Sequence, residues 1–456
     1  MHMKLASLVL VAFCFASCRA AEGQSEQNAA LVARMGQVVV PYVTDNSFMG
    51  SILVARGKEI LLNKGYGKAN LDWDISNAPD VRFRIGSITK QFTAVLVLLL
   101  QQDGKLNVND PVSKYLPDAP ASWKHIKLVN LLGHTSGIPD FTDDPRSVTW
   151  SMSTHTPAEE VNFIRDKPLD FEPGSKFSYS SSNYILLGYI LERVTGISYG
   201  QLLRERLIIP LGLSNTGMDA DDLILHKRAS GYLVGIKGLV YARSESMSVP
   251  YAAGGMYSTT GDLLKWEHAL FGHKVLSDAS LKLLTTPGKG DYGFGLFIVK
   301  SKGVTVIFHN GGDAGFSARL AYVPERRIAV IVLGNVATGS PQAMGDDLMQ
   351  LALGRKVTLP NERKVLMIYA SETPKFAGTY ELADGSDFRL EAQANMVVDT
   401  TGGVYWPLDY LGLQNEHPAF FLRELNAVFE FIPDPNGAYT TFIFHRGGVD
   451  DLAKRK

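Results

Sequence analysis

An apolar run over residues 91–100 has the length of a helix and contains neither Gly nor Pro. It ends at Gln101-Gln102-Asp103-Gly104, a sequence typical of a helix C-terminus. The run is too short to cross a membrane. We therefore predict a buried helix that begins shortly after Gly86.

Strand patterns lie on both sides of a helix-rich and loop-rich middle that covers residues 88 to 250. Alternating apolar residues predict a hairpin at 48–55 and 59–65. A meander of three strands is predicted at 305–308, 318–323 and 328–333. This order is typical of an α+β fold, with an antiparallel sheet flanked by helices and a helical region inserted between the halves of the sheet.

The pattern changes after Pro360. Residues 376–382 open a set of short alternating runs, and Asp434-Pro435-Asn436-Gly437 is a hairpin signal. We predict a main domain at 25–357, followed by a small all-β barrel or sandwich at 372–456.

The composition is that of an ordinary globular enzyme: 456 residues, 45% hydrophobic, 20% charged, with a formal charge of −1. The length predicts more than one domain. The sequence has no block of Lys and Arg residues, so its charge pattern does not indicate a nucleic-acid partner. The sequence has no Gly-rich phosphate loop and no metal-binding motif, so we predict neither a cofactor nor a metal.

The first residues have the features of a signal peptide, so we expect an exported protein, periplasmic or secreted. Lys4 precedes an apolar stretch at 5–15, and small residues follow it, with predicted cleavage after Ala20. Alternatively, residues 15–18 resemble a bacterial lipobox, in which case Cys18 would carry a lipid and provide the membrane contact. Cys14 and Cys18 both lie in this segment, so the mature chain would have no internal disulfide.

Candidate chemistry begins at Ser87-Ile88-Thr89-Lys90, which directly follows Gly86. Residues three apart share a helix face, so the Lys90 amine lies within reach of the Ser87 hydroxyl and can act as its base. Burial and the positive end of the helix favour the neutral amine. This is the only Ser-x-x-Lys string in the chain.

Further motifs follow in the order found in one protein family. They are Leu131-Leu132-Gly133-His134-Thr135-Ser136-Gly137-Ile138, Pro173-Gly174-Ser175-Lys176-Phe177-Ser178-Tyr179-Ser180-Ser181, Gly254-Gly255-Met256-Tyr257-Ser258-Thr259 and His309-Asn310-Gly311-Gly312. From about residue 30 to 355 the chain resembles the serine beta-lactamase-related hydrolases: class C beta-lactamases, D,D-peptidases, D-aminopeptidases and esterases. The tail resembles the lipocalin-like C-terminal domains of some members.

The resemblance implies a role for Tyr179 as the general base or its partner, since the family has Tyr-x-Asn where this chain has Tyr179-Ser180-Ser181. A phenol normally titrates near 10, so it would need a cation such as Lys90 nearby. Ser181 stands where asparagine is usual and is expected to contact substrate. Alternatively, Ser181-Ser182-Asn183 could be aligned with the Ser-x-Asn motif of related penicillin-binding enzymes. Residues 184–188 keep their usual distance from Tyr179 without a gap, however, which favours Ser181 as the substitute for the asparagine.

His309-Asn310-Gly311 resembles the Lys-Thr-Gly motif, and the glycines are expected to follow a strand. By the resemblance, the amides of Ser87 and Gly312 form an oxyanion hole, while His309 and Gly311 contact substrate. Because a histidine is mostly neutral at neutral pH, His309 would anchor a substrate carboxylate less firmly than a lysine. This substitution argues against a dedicated beta-lactamase.

A rival nucleophile is Ser198, within Gly196-Ile197-Ser198-Tyr199-Gly200. This string matches the nucleophile elbow of α/β-hydrolases, which requires a strand before the serine. The preceding residues have helical spacing instead. We therefore predict that a helix ends at Gly196 and that Ser198 caps the next one.

We expect an exported serine hydrolase in which Ser87 attacks a carbonyl group, while Lys90 and Tyr179 move the proton. Its substrates would be small esters, or amides and peptides of D-amino acids. One alternative is a beta-lactamase proper. Another, of a different class, is a cell-envelope protein that binds penicillin or peptides with little turnover. The sequence makes no prediction of oligomeric state.

Overall fold

The computed structural model describes residues 28–235, 238–382, 385–401, 405–446 and 449–456. The predicted signal peptide at 1–20, with Cys14 and Cys18, lies outside these residues, so export and lipidation stay predictions. No helix in the described ranges is long and apolar enough to cross a bilayer.

The first domain alternates strands and helices. Its helices are α1 (28–44), α2 (Thr89–Gln102), α3 (Leu128–Leu132), α4 (Ser147–Trp150), α5 (Pro157–Arg165), α6 (Ser181–Thr195), α7 (Tyr199–Leu203), α8 (Ile209–Leu211), α9 (Tyr251–Gly254), α10 (Thr260–Leu270), α11 (Asp278–Leu284) and α12 (Ser340–Ala352). Its strands are β1 (Gly50–Arg56), β2 (Glu59–Tyr66), β3 (Lys68–Asn70), β4 (Ile75–Ser76), β5 (Phe83–Arg84), β6 (Gly217–Met218), β7 (Tyr232–Gly235), β8 (Gly238–Tyr241), β9 (Met256–Ser258), β10 (Phe297–Ser301), β11 (Val304–Asp313), β12 (Phe316–Val323) and β13 (Ile328–Gly334).

In the described residues, the central sheet has six strands in the order β10-β11-β12-β13-β1-β2. Neighbouring strands are antiparallel, and β1 joins the two halves by pairing with β13. The predicted hairpin and meander are thus confirmed, as is the α+β class with an inserted helical region. One face packs on the helices from the middle of the chain, and the other on α1 and α12.

Strand β11 is longer than the sequence predicted. The predicted strand ended at residue 308, but β11 continues to Asp313, and Gly311 pairs with Ala318 on β12. The glycines therefore belong to the strand rather than following it. The pairing with β12 supplies backbone hydrogen bonds that the weak strand propensity of Asn and Gly does not indicate.

In the described part of the C-terminal region, eight antiparallel strands close into a barrel in chain order. They are β14 (Gly378–Glu381), β15 (Asp387–Gln393), β16 (Met396–Asp399), β17 (Trp406–Gln414), β18 (His417–Leu422), β19 (Ala427–Pro433), β20 (Tyr439–Arg446) and β21 (Val449–Arg455). The predicted all-β tail is confirmed as a barrel. Its interior is packed with aromatic side chains, including Phe420, Phe429 and Phe442, which are 0% exposed. An interior of eight strands is just wide enough for such a filling.

The barrel rests on the first domain near the turn at Arg423–Leu425. The Arg423 guanidinium lies 3.2 Å from the Asp45 carboxylate. The backbone carbonyl oxygen of Arg423 accepts a hydrogen bond from the Tyr42 hydroxyl. A Cβ atom on Gly339 would lie 2.8 Å from the Glu424 carbonyl oxygen. The start of α12 therefore packs closely against the barrel.

Candidate active site

Ser87 lies in a tight turn between β5 and α2. The turn Gly86–Ile88 begins with Gly86 at φ +49°, a conformation that side chains disfavour, and α2 starts at Thr89. Every α2 residue from Thr89 to Leu100 is buried, whereas Ser87 is partly exposed. The predicted helix is confirmed, and the serine lies partly exposed just before its first turn.

Lys90 is fully buried beneath Ser87. Its Nζ lies 2.9 Å from Ser87 Oγ and 3.4 Å from Ser181 Oγ, and it donates to the Ala253 carbonyl oxygen at 3.0 Å. Burial lowers the pKa of Lys90 to about 7, although the Asp140 carboxylate acts to raise it. The amine can therefore be neutral near physiological pH.

Tyr179 lies next to this pair. Lys90 Nζ is 4.9 Å from the centroid of the Tyr179 ring, and the His134 ring lies 4.4 Å away on another side. Burial raises the pKa of Tyr179 above the usual phenol value, and a hydrogen bond with Ser87 opposes this rise. Tyr179 thus holds its proton at neutral pH and can donate it.

The two candidate alignments of the second motif have different positions. Ser181 begins α6, and its hydroxyl faces Lys90, as the preferred alignment expects. Asn183 is fully buried, where it accepts a hydrogen bond from Ser136 at 2.6 Å and contacts His134 Nδ1 at 3.2 Å. Asn183 therefore supports the loop around His134 and does not face the Ser87 hydroxyl.

The backbone of β11 closes against the Ser87 turn. A Cβ atom on Gly86 would lie 2.7 Å from the Gly312 amide nitrogen, and one on Gly311 would lie 2.0 Å from the Ile85 carbonyl oxygen. Gly312 is exposed, and a Cβ there would meet open space. Glycine at these positions lets the two backbones approach, which brings Gly312 beside Ser87.

His309 lies in an aromatic cluster with Tyr179, Tyr292 and Phe297. It is 2% exposed, with Nε2 at 3.1 Å from the Tyr292 hydroxyl and Nδ1 at 2.6 Å from the Asn310 carbonyl oxygen. Burial lowers the pKa of His309 to about 3, and the nearby Lys90 lowers it further. His309 is therefore neutral, and both of its ring nitrogens are occupied within the protein.

Ser198 caps a helix, as predicted. Helix α6 ends at Thr195, and Gly196 follows with φ +75°. Ser198 Oγ then accepts a hydrogen bond from the Gln201 amide at 3.2 Å, at the start of α7. No strand leads into this serine, so the nucleophile-elbow interpretation is wrong.

Two groups of the site escaped the sequence prediction. The Ala253 carbonyl oxygen accepts from Lys90, and nothing in a sequence marks a backbone acceptor. Asp140, three residues after Gly137, accepts from the Ser181 amide at 2.9 Å and acts on Lys90 by its charge. In the sequence, the one feature that could have marked Asp140 as a site residue is its position just after the motif at residues 131–138.

The arrangement suits acyl transfer. It joins an accessible hydroxyl, an amine that can be neutral, a protonated phenol and a backbone amide at one point. Among the residues that the structure describes, no group of three or more His, Cys, Asp or Glu side chains is placed to hold a metal ion.

Three kinds of similarity connect this chain to known proteins. Residues 37–354 match the family model described as Beta-lactamase. The chain is 25% identical to penicillin-binding protein 4* of Bacillus subtilis (strain 168) over 439 residues, which cover 90% of this chain and 96% of that protein.

Two solved structures share the fold. The octameric penicillin-binding protein homologue from Pyrococcus abyssi is similar over 93% of this chain and 100% of that one, with a TM-score of 0.67 and 24% identity. The D-amino acid amidase from Ochrobactrum anthropi SV3, complexed with L-phenylalanine amide, covers 72% of this chain and 98% of its own, with a TM-score of 0.63 and 25% identity.

Proposed function

Because the chain belongs to the beta-lactamase family of serine hydrolases and acyl transferases, we propose that Ser87 is acylated by its substrate and that water then releases the acyl group. The observation that carries this proposal is the 2.9 Å contact between Lys90 Nζ and Ser87 Oγ. Residues 87 and 90 thereby form a nucleophile and base within one helical turn.

In the first step, Ser87 Oγ attacks the carbonyl carbon of the substrate. Its proton passes to the neutral amine of Lys90, whose pKa of about 7 suits a general base at neutral pH. The carbonyl electron pair moves to oxygen, which is held by the amides of Ser87 and Gly312. Removing one donor of such a pair typically slows acyl transfer by about 10² to 10³-fold.

Tyr179 supplies the proton in the second step. The bond between the carbonyl carbon and the leaving group breaks, and the leaving group takes the phenolic proton. Lys90 returns its proton to Tyr179. Water then attacks the acyl carbon and gives a proton to Lys90, and Lys90 passes this proton to Ser87 Oγ as the bond between Oγ and the acyl carbon breaks.

Charge around Ser87 favours substrates that are neutral or cationic near the reacting carbonyl. His309 stands where many relatives have a lysine, but it is buried and neutral, so it offers no fixed charge to a substrate carboxylate. The Asp140 carboxylate lies on the same side as Lys90 and Ser181. We infer that the substrates are small esters, or amides and peptides of D-amino acids with a free ammonium group.

Two alternatives keep specific support. The similarity to penicillin-binding protein 4* favours beta-lactam recognition, with or without turnover. The short side chain of Ser181, 3.4 Å from Lys90, favours a binding protein with little turnover, because it reaches less far toward a substrate amide than asparagine would. In each case we propose an exported protein with a small-molecule or short-peptide ligand.

Mass spectrometry of the intact protein after treatment with a fluorophosphonate tests the nucleophile. We expect labelling of the wild type and of Ser198→Ala, and none of Ser87→Ala. Labelling retained in Ser87→Ala would contradict the proposal.

Turnover separates the candidate functions. Hydrolysis of p-nitrophenyl butyrate or of D-phenylalanine amide, with slower hydrolysis of L-phenylalanine amide, would support the esterase or amidase. Fast hydrolysis of nitrocefin would identify a beta-lactamase. Labelling of Ser87 without turnover of any of these would favour the binding protein.

A further inference from the structure

A cleft lies between the central sheet and the barrel, with a volume of about 400 Å³. Phe308 and Arg319 line it from the sheet, and Asp346 from α12. Phe444 and Arg446 of β20 line it from the barrel. The cleft thus exists only where the two domains meet.

This cleft is on the opposite face of β11 from Ser87. The Asn310 side chain points to the α12 face, where it donates to Gln342 at 3.1 Å, whereas the preceding residue His309 contacts Tyr292 on the other face. Successive side chains of a strand alternate between faces. A ligand in this cleft would therefore not occupy the Ser87 site.

Arg319 is built into the floor of this cleft. It is 4% exposed, donates to Asn310 Oδ1 at 2.9 Å and to Asp346, and its guanidinium lies 3.9 Å from the centroid of the Phe308 ring. Among the described residues, its Nε–H is buried and finds no hydrogen-bond partner. Such an unpartnered donor is unfavourable and shows that the positive charge of Arg319 is incompletely compensated.

Arg446 lies across the cleft from Arg319. In the described ranges its side chain makes no hydrogen bond or ion pair, and its Nε–H is also buried without a partner. Burial lowers the pKa of Arg446, and Arg319 lowers it further, while Asp346 raises it. A guanidinium keeps its charge in proteins, so two cations here lie near the partly exposed carboxylate of Asp346.

The neighbouring charges add to this excess. A smaller cavity of about 190 Å³ adjoins Arg446, with Lys302 and Arg363 in its lining. Besides Asp346, the lining of this smaller cavity includes the carboxyl group of Asp347, and burial raises the pKa of Asp347 to about 7. Asp451, at the rim of the larger cleft, is exposed. Because Arg319 is paired with Asp346, the preference of the cleft for an anion depends on the unpaired guanidinium of Arg446.

We propose that this cleft binds a carboxylate with an apolar chain, of which octanoate is a simple example. The carboxylate accepts hydrogen bonds from the terminal N–H groups of Arg446, and the charge of Arg319 beside them adds to the attraction. The chain lies along Phe444, Phe388 and Met349, which line the same cleft.

Isothermal titration calorimetry of the full chain with sodium octanoate tests the proposal, after Ser87 has been blocked by the fluorophosphonate. We expect saturable binding, a dissociation constant about tenfold or more higher in Arg446→Gln, and binding unchanged in Arg389→Gln. Arg389 is an exposed arginine of β15 on the same barrel, so it is a matched control.

Ligand analogues test the chemistry without altering the protein. Octylamine, which has the same chain and the opposite charge, should not bind, and acetate should bind much more weakly than octanoate. Absence of octanoate binding, equal affinity for Arg446→Gln, or equal affinity for acetate would overturn the proposal. If Arg446→Gln does not fold, the analogues and Arg446→Lys, which retains the charge, still decide the outcome.

Discussion

The two faces of β11 lie beside basic side chains that differ in whether they can lose their charge. On the face toward Ser87, burial lowers the pKa values of Lys90 and His309, so these groups can be neutral. On the face toward the barrel, Arg319 and Arg446 are guanidiniums and stay charged. Burial of an amine thus creates a base, whereas burial of a guanidinium creates a site for an anion.

The two faces also differ in what defines them. The Ser87 site depends on backbone atoms brought close by glycines, at Gly86 and Gly311. The cleft at the barrel depends on long side chains from two domains. Small changes in the backbone should therefore affect the first site most, and changes of charge the second.

Replacing Lys90 should have the largest effect. We expect Lys90→Ala and Lys90→Arg to slow acylation of Ser87 by roughly 10² to 10⁴-fold, the usual contribution of a general base. Lys90→Arg is the sharper test, because it keeps the positive charge but cannot give up its proton near neutral pH. The rate of fluorophosphonate labelling measures this.

Thermal unfolding of both Lys90 variants serves as the control, since a fully buried residue is being changed. Labelling of either folded variant at the wild-type rate would contradict the role of Lys90 as base. It would also remove the contrast between the two faces of β11.

Adjacent glycines give a prediction of intermediate size. Gly311→Ala places a methyl group 2.0 Å from the Ile85 carbonyl oxygen, so we expect a loss of about 1–3 kcal/mol of stability from overpacking. Gly312→Ala meets no atom within 4 Å, so its melting temperature should stay close to that of the wild type. Its methyl group would lie in the open space beside the Ser87 turn, where we expect it to hinder the substrate and slow acylation.

Thermal melts and labelling rates separate the two glycine variants. We expect a lower melting temperature in Gly311→Ala and slower acylation of Ser87 in Gly312→Ala. Equal stability of the two would show that the backbone at Gly311 is not close to Ile85.

The pH dependence of acylation follows from Lys90. The base must be unprotonated, and its pKa is about 7, so kcat/KM should fall as the pH decreases through about 7 and level off above it. An ordinary lysine would place this midpoint near 10. Initial rates of ester hydrolysis across this range measure the midpoint, and a midpoint near 10 would mean that burial does not lower the pKa of Lys90.

Sequence reasoning succeeded where a residue's position follows from its local segment. The spacing of Ser87 and Lys90 required a helix, and the helix is present. The same reasoning rejected Ser198, because its neighbours had helical rather than strand spacing. Ser181 was preferred over Asn183 because residues 184–188 keep the family's usual distance from Tyr179 without a gap, and Ser181 is the one that faces Lys90.

What sequence could not provide depends on contacts between distant segments. The Ala253 carbonyl oxygen lies 163 residues from Lys90 along the chain, and a backbone atom has no residue signature. Strand β11 continues to Asp313 because β12 pairs with it, not because of its own residues. The cleft of Arg319 and Arg446 appears only when the barrel is placed beside the sheet.

Asp140 gives the smallest and most specific prediction. Its charge raises the pKa of Lys90, against the lowering effect of burial. In Asp140→Asn that charge is absent, so the midpoint of the pH profile should move to lower pH, while the rate well above the midpoint changes little. Asp143→Asn in the same loop is the control, because Asp143 does not contribute to the pKa of Lys90. A midpoint that moves equally in both variants would indicate a general effect of charge in this loop. A shift confined to Asp140→Asn would show that one carboxylate adjusts the base on this face of β11.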